Sequence, residues 1–332
     1  MILAGDIGGT KTNLGLFEVR DGGLHPTQQR SFPSQNYVGL EAIVTEFVAQ
    51  TSAKVEAACF GVAGPVINGE SVTPNLPWIV NAHHLAQILH LSSTALINDL
   101  EATAHGIGEL KPEEFVTLNH GAAMRGNAGL IAAGTGLGEA SLFWNGQRFV
   151  PSASEGGHAD FAPRTLLEID LLRHLLTQYD HVSVERVLSG PGLFNIYQFL
   201  RTIKYAEESP AMAASLTQED PSRVIATAAL SQECPLSMKA LDIFTSIYGA
   251  VAGNLALILK ATGGIYIGGG IAPKIIEKLK DGTFMGAFLD KGRLTPLLAT
   301  IPVRVVMNDK TALFGAARVA ASELVMTRRT AS

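Results

Sequence analysis

Two segments of this chain are built to one plan. GDIGGTKTNLGLF (residues 5–17) and GLIAAGTGLGEASLF (residues 129–143) each read as an apolar strand, a Gly/Thr turn and a second strand. They lie about 125 residues apart, too far for a solenoid period. Two similar domains, each opening on a Gly/Thr hairpin, account for the spacing, and 332 residues suffice for both. Strands and helices alternate along the rest, which predicts an α/β fold.

The first hairpin is expected from strands at 1–4 and 12–19, ending at the turn Asp21-Gly22-Gly23. Apolar residues at 40, 43, 44, 47 and 48 predict a helix, and 57–62 a buried strand. A strand at 94–97 runs into Asn98-Asp99, residue types that cap helices, with a helix to about 106. Residues 263–273 form a short apolar strand ending in three glycines, and 311–319 resume helical periodicity. The polar stretch 206–223, with Pro210 and Pro221, reads as a mobile surface excursion.

The opening turn could bind a phosphate, a plain Gly-rich hairpin turn being the alternative. Gly8 and Gly9 let backbone N–H groups approach an anion, and Thr10 and Lys11 add a hydroxyl and a charge. Asp6 would repel phosphate but could hold Mg²⁺ through water. This is no Walker loop: Thr10 stands where the glycine before Lys11 should be, and a strand follows instead of a helix. The second turn, Gly134-Thr135-Gly136, could grip the same polyphosphate; Gly268, Gly269 and Gly270 offer backbone for a flat ring, though by themselves they read more simply as a tightly packed helix-entry turn.

Other polar groups are compatible with a sugar. Asp99 at a helix start is held ionised by the helix N–H groups, a weak base that phosphoryl transfer could still use; a plain cap is the alternative. Glu155-Gly156-Gly157-His158 sets a carboxylate and an imidazole in one loop, able to bond hydroxyls, though a polar turn would look the same. Ser183 and Gly190 bracket a helix that makes Glu185 a first-turn acid with nothing intrinsic to single it out.

Composition narrows the partners. Net charge is −5 and no Lys/Arg run exceeds two, so nucleic acid is not expected. Cys59 and Cys234, isolated from each other, fit a reducing compartment and no thiolate zinc site. The start lacks a signal peptide's basic region, and Gly249, Gly253 and Asn254 interrupt the longest apolar stretch, so a cytoplasmic protein without a membrane span is expected.

In order and spacing, GDIGGTKTNLGLF, INDLEATAHG, GLIAAGTGLGEA, PSASEGGHADFAP, HVSVERVLSGPGL and GGIYIGGGIAP together resemble the bacterial glucokinases of the non-ROK type, within the hexokinase–actin superfamily. The resemblance implies duplicated ribonuclease H-like domains with an interdomain cleft. The small domain would hold residues 1–108, rejoined by a helix at 310–322, and the large domain residues 109–309. It further implies ATP-dependent phosphorylation of glucose, with Asp99 as base on the 6-hydroxyl and Asn98, Asp99, Glu155, His158 and Glu185 on the sugar. Gly5, Asp6, Ile7, Gly8, Gly9, Thr10 and Lys11 would face ATP and Mg²⁺, opposite Gly134, Thr135 and Gly136, with Gly268, Gly269 and Gly270 beside adenosine. A homodimer is implied too. ROK kinases share the E-x-G-H motif but follow it with a cysteine-rich zinc loop; here no cysteine follows His158 until Cys234. A sugar-sensing regulator on the same scaffold, or a kinase for another hexose, are the alternatives.

Overall fold

The computed structural model describes every residue except 52, 74, 75, 123, 331 and 332, and residues 325–330 by backbone alone. Its elements begin with β1 (Ile2–Ile7), β2 (Lys11–Arg20), β3 (Gly23–Pro33), α1 (Leu40–Ala49), β4 (Ala57–Val62), β5 (Glu70–Val72), β6 (Ile79–Asn81), α2 (Ala82–Leu89), β7 (Ala95–Asn98) and α3 (Asp99–Gly106). Then come β8 (Phe115–Asn119), β9 (Ala128–Ala133), β10 (Leu137–Trp144), β11 (Phe149–Ser154), α4 (Leu166–Leu175), α5 (Gly190–Thr202), α6 (Pro210–Gln218), α7 (Pro221–Leu230) and α8 (Pro235–Leu259). The last are β12 (Gly264–Gly268), α9 (Ile276–Lys280), α10 (Thr283–Leu289), α11 (Thr295–Ala299), β13 (Val303–Val306) and α12 (Thr311–Thr330). One compact unit takes Met1–Pro112, Arg148–Ala153 and Asn308–Ser332, and the other takes Glu113–Gln147 and Ser154–Met307.

In the first unit the sheet order is β3-β2-β1-β4-β7. β1 pairs antiparallel with β2 and parallel with β4, which pairs parallel with β7. Alternation along β1 explains the double-sided core. Leu3 and Ile7 pack with α1 through Ile43, Val44 and Phe47. Ile2 and Ala4 point the other way, against Leu313, Ala316, Ala317 and Ala320 of α12. Small residues in α12 let it approach closely: a Cβ built on Gly315 would lie 1.7 Å from the Ala102 carbonyl oxygen of α3. α3 is therefore held by backbone contact with α12.

The second unit repeats the plan. Its strands run in the order β10-β9-β12-β13-β8, with β9 antiparallel to β10 and parallel to β12. α8 supplies much of the core, including Leu241, Phe244, Ile247, Tyr248 and Leu255.

Several expectations change. β3 is absent from the sequence reading because it is an edge strand with mostly exposed residues and no apolar alternation. Its Pro26 sits opposite a register shift at Leu16/Phe17, where a missing N–H is tolerated. The stretch 206–223 is not an irregular excursion. Pro210 and Pro221 start α6 and α7, behind the caps Ser209 and Asp220, and Met212, Leu216 and Ile225 are buried. α8 is long and apolar enough to cross a membrane by composition, contrary to the expectation of no such stretch. It is a core helix: 67% of that window is buried inside the protein, and its glycines do not break it.

Candidate active site

Parallel pairing gathers the polar groups of the first unit at one end of its sheet. The register sets Ile7 beside Val62 and Val62 beside Asn98, so the turn after β1, the Gly64 bend and the start of α3 share the carboxyl ends of three strands. Ligands of open α/β sheets bind at such ends.

The turn Gly8–Thr10 is braced twice. Gly8 N–H donates to the Lys11 carbonyl at 3.0 Å, and Ser34, fully buried, donates Oγ–H to the Gly8 carbonyl at 2.8 Å and N–H to the Thr10 carbonyl at 3.0 Å. Thr10 and Lys11 are exposed, and Gly8 and Gly9 partly so. Gly5 and Ile7, by contrast, lie buried within β1, with Ile7 in the apolar core. They support the turn and present no side chain to a phosphate.

Asp6 lies opposite Asn13 in the hairpin, and Asn13 Nδ2 donates to Asp6 Oδ2 at 3.0 Å. Ser31 Oγ donates to Asn13 Oδ1 at 2.6 Å, which turns the amide's N–H toward Asp6. Burial outweighs that bond, and with Asp99 and Asp309 nearby it pushes the Asp6 pKa from 3.8 to about 6. Among the described residues no group of three or more His, Cys, Asp or Glu is placed to hold a metal ion.

The Asp6 shift fixes a sign for stability. Below pH 3.8 the carboxyl is protonated folded or unfolded; as pH rises through about 6 the folded form must ionise a buried group, and stability falls. Asp6→Asn should therefore raise the melting temperature of ligand-free protein at pH 8, by up to about 3 kcal/mol equivalent. The gain should vanish near pH 4; thermal melts at the two pH values measure it, and a gain equal at both would refute the assignment.

Asn98 is the N-cap of α3. Its Oδ1 accepts from Leu100 N–H at 2.9 Å and its Nδ2 donates to the Gly64 carbonyl at 3.0 Å. Asp99, the first helical residue, accepts at Oδ1 from Leu100 N–H at 2.8 Å. The sequence suggests a carboxyl lowered by the helix terminus; the structure gives the opposite. Burial raises the Asp99 pKa, and bonds from Leu100, its own N–H and Asn98 offset only part of that. A raised carboxyl is the stronger base.

In the second unit, register again aligns turns. Gly268 of β12 lies beside Ala132 of β9, and Ile271 N–H donates to the Ala133 carbonyl at 3.2 Å. The turn Gly134–Gly136, closed by Gly134 N–H on the Gly136 carbonyl at 2.8 Å, thus neighbours Gly269 and Gly270, both exposed. Gly268 is buried in the strand. Glu155 precedes a 3-10 turn, Gly156–His158, which brings His158 Nε2 to 3.9 Å from Glu155 Oε2, with both side chains largely exposed.

Glu185 is not in an α-helix. It sits in a 3-10 turn, Val184–Arg186; Ser183 makes no side-chain cap, and Gly190 begins α5 where a helix end was expected. The missed cap is Ser189, whose Oγ accepts from Gly192 N–H at 3.0 Å. Sequence reasoning also missed Asn13, Ser34 and Asp309. The Asp6–Asn13 pairing was readable from the hairpin register, whereas Ser34 joins the turn only through β3.

A family model described as "Glucokinase" matches residues 3–323. A glucokinase of Nostoc punctiforme is 43% identical over 337 residues, covering 97% of this chain and 99% of that one. One from Synechocystis is 40% identical over 346 residues, covering 96% and 97%. Among solved structures, a glucokinase from an Antarctic psychrotroph superposes with TM-score 0.85 at 30% identity, covering 97% of this chain and 98% of that chain. A ROK-family glucokinase from Streptomyces griseus, in complex with glucose and AMPPNP, shares the fold at TM-score 0.63 and 22% identity, covering 97% and 99%.

Proposed function

The chain belongs to the glucokinase family and phosphorylates glucose with ATP; on that premise we propose that Asp99 is the base that accepts the proton of the glucose 6-hydroxyl. The observation that carries this reading is the placement of Asp99 at the carboxyl end of β7, in the same unit and at the same sheet end as the Gly8–Lys11 turn. As the sugar O6 forms its bond to the γ-phosphorus, the bond to the β,γ-bridging oxygen breaks, ADP leaves and the proton passes to Asp99. Such a transition state needs placement and charge neutralisation more than a strong base.

N–H groups of Gly8, Gly9 and Thr10, the Lys11 ammonium and the Gly134–Gly136 turn are the proposed phosphate donors, with Gly269 and Gly270 beside the adenosine. Asp6 is proposed to hold Mg²⁺ through water, where the ion would supply charge neutralisation for the transferred phosphoryl group. Asn98, Glu155, His158 and Glu185 are proposed to bond the remaining sugar hydroxyls.

The regulator alternative is not favoured, since a sensor has no need of a poised base beside a complete phosphate turn. A coupled assay with glucose and MgATP tests the choice: turnover is expected, and glucose binding without turnover would overturn it. A homodimer is proposed from the family, and light scattering should then give twice 35.1 kDa. Two buried, unpaired cysteines, Cys59 and Cys234, support a cytoplasmic location.

A further inference from the structure

Glu185 reaches the phosphate turn of its own unit. Leu137, which directly follows Gly136, donates its N–H to Glu185 Oε2 at 2.8 Å. A Cβ built at Gly136 would lie 2.6 Å from that same oxygen, so the missing side chain is what admits the carboxylate. The other oxygen, Oε1, makes no hydrogen bond among the described residues.

The backbone around Glu185 is pinned separately. Ser189 Oγ donates to the Glu185 carbonyl at 2.8 Å. Val184 N–H donates to the Ala159 carbonyl at 2.9 Å, and Phe161 N–H to the Val182 carbonyl at 3.0 Å, which ties this strip to the chain leaving the Glu155–His158 turn. That turn rests on Leu137 as well: a Cβ on Gly157 would fall 2.1 Å from the Leu137 carbonyl oxygen. One peptide segment, the first residue of β10, therefore meets the phosphate turn on one side and both sugar-side segments on the other.

We propose that Glu185 is a positioning strut between the two substrates: Oε2 stays on Leu137 N–H and holds the Gly134–Gly136 turn, while Oε1 accepts from a glucose hydroxyl. The strut rests on the reading of Glu185 as a sugar residue. Because coupling between two ligands is reciprocal, glucose bound at Oε1 steadies the phosphate turn, and a nucleotide on that turn steadies Glu185 for glucose.

Calorimetry on the full-length protein tests this, with glucose titrated into nucleotide-free samples and AMPPNP into sugar-free samples. Gly136→Ala pushes away only the flexible end of Glu185, so folding should survive. Its glucose Kd should nonetheless weaken about tenfold or more, the loss of one charge-assisted hydrogen bond's fixing of the carboxylate. Glu185→Ala should weaken AMPPNP several-fold in the absence of sugar, whereas Glu185→Gln, which keeps an oxygen for Leu137 N–H, should restore AMPPNP affinity but not glucose affinity. The Ala and Gln pair decides the matter by itself if Gly136→Ala fails to fold. Wild-type glucose affinity in Glu185→Ala would remove the sugar role and the strut with it. Lost glucose affinity with unchanged AMPPNP binding in Glu185→Ala, or unchanged glucose binding in folded Gly136→Ala, would overturn the strut and leave the sugar role standing.

Discussion

Asp99→Asn should lower kcat for glucose phosphorylation by roughly 10²- to 10⁴-fold, the range expected on losing a positioned base, while glucose affinity changes little. Asparagine has the same shape, and its Oδ1 can still accept from Leu100 N–H as Asp99 does at 2.8 Å. The start of α3 and its Asn98 cap are thereby preserved. What is lost is the ability to take a proton. Because burial raises the Asp99 pKa, the wild-type kcat should fall on the acid side as the carboxyl protonates, and the variant should lose that share of the limb, keeping only what Asp6 contributes. Steady-state kinetics across pH, with glucose binding measured separately, check both parts. Turnover near the wild-type rate would exclude Asp99 as the base.

Gly315→Ala should be the most damaging single methyl group in the first unit. Its Cβ would meet the Ala102 carbonyl oxygen at 1.7 Å, with the Ala102 carbonyl carbon and Gly106 nitrogen both at 2.7 Å. All three are backbone atoms of α3, so no rotamer can relieve the contact and one helix must shift. A loss of about 3 kcal/mol or more is expected, at the upper end of overpacking costs, seen as a melting temperature lower by about 5–10 °C. Because α3 begins at Asp99, the shift should also depress kcat in protein that remains folded. Gly286→Ala is the control: it lies in α10 with nothing within 4 Å of its built Cβ, and should be neutral or slightly stabilising. Equal melting temperatures for the two variants would show that the α3–α12 contact is looser than described.

Local pattern carried further in some segments than in others. The two Gly/Thr hairpins, α1, β4, β7 and α3 were legible because each joins apolar periodicity to a turn or cap residue nearby. β3 was not legible: an edge strand exposes both faces and needs no alternation, and its partner β2 decides its pairing. In α6 and α7 the signal was present but misjudged, since Pro210 and Pro221 follow Ser209 and Asp220 as first-turn residues follow caps. For Asp99 the helix terminus is visible in the sequence and the burial is not, so the sign of its pKa shift came out reversed.

By itself the sequence determined the duplicated α/β plan, the two glycine turns and the family, because these rest on residue types and spacings along the chain. Tertiary structure alone decided that Ser34 braces the first turn, that Asn13 faces Asp6 and that Glu185 bonds Leu137. Strand register and the packing of distant segments create those contacts. Chain separations of 26 and 48 residues for Ser34 and Glu185 leave no local periodicity to record them.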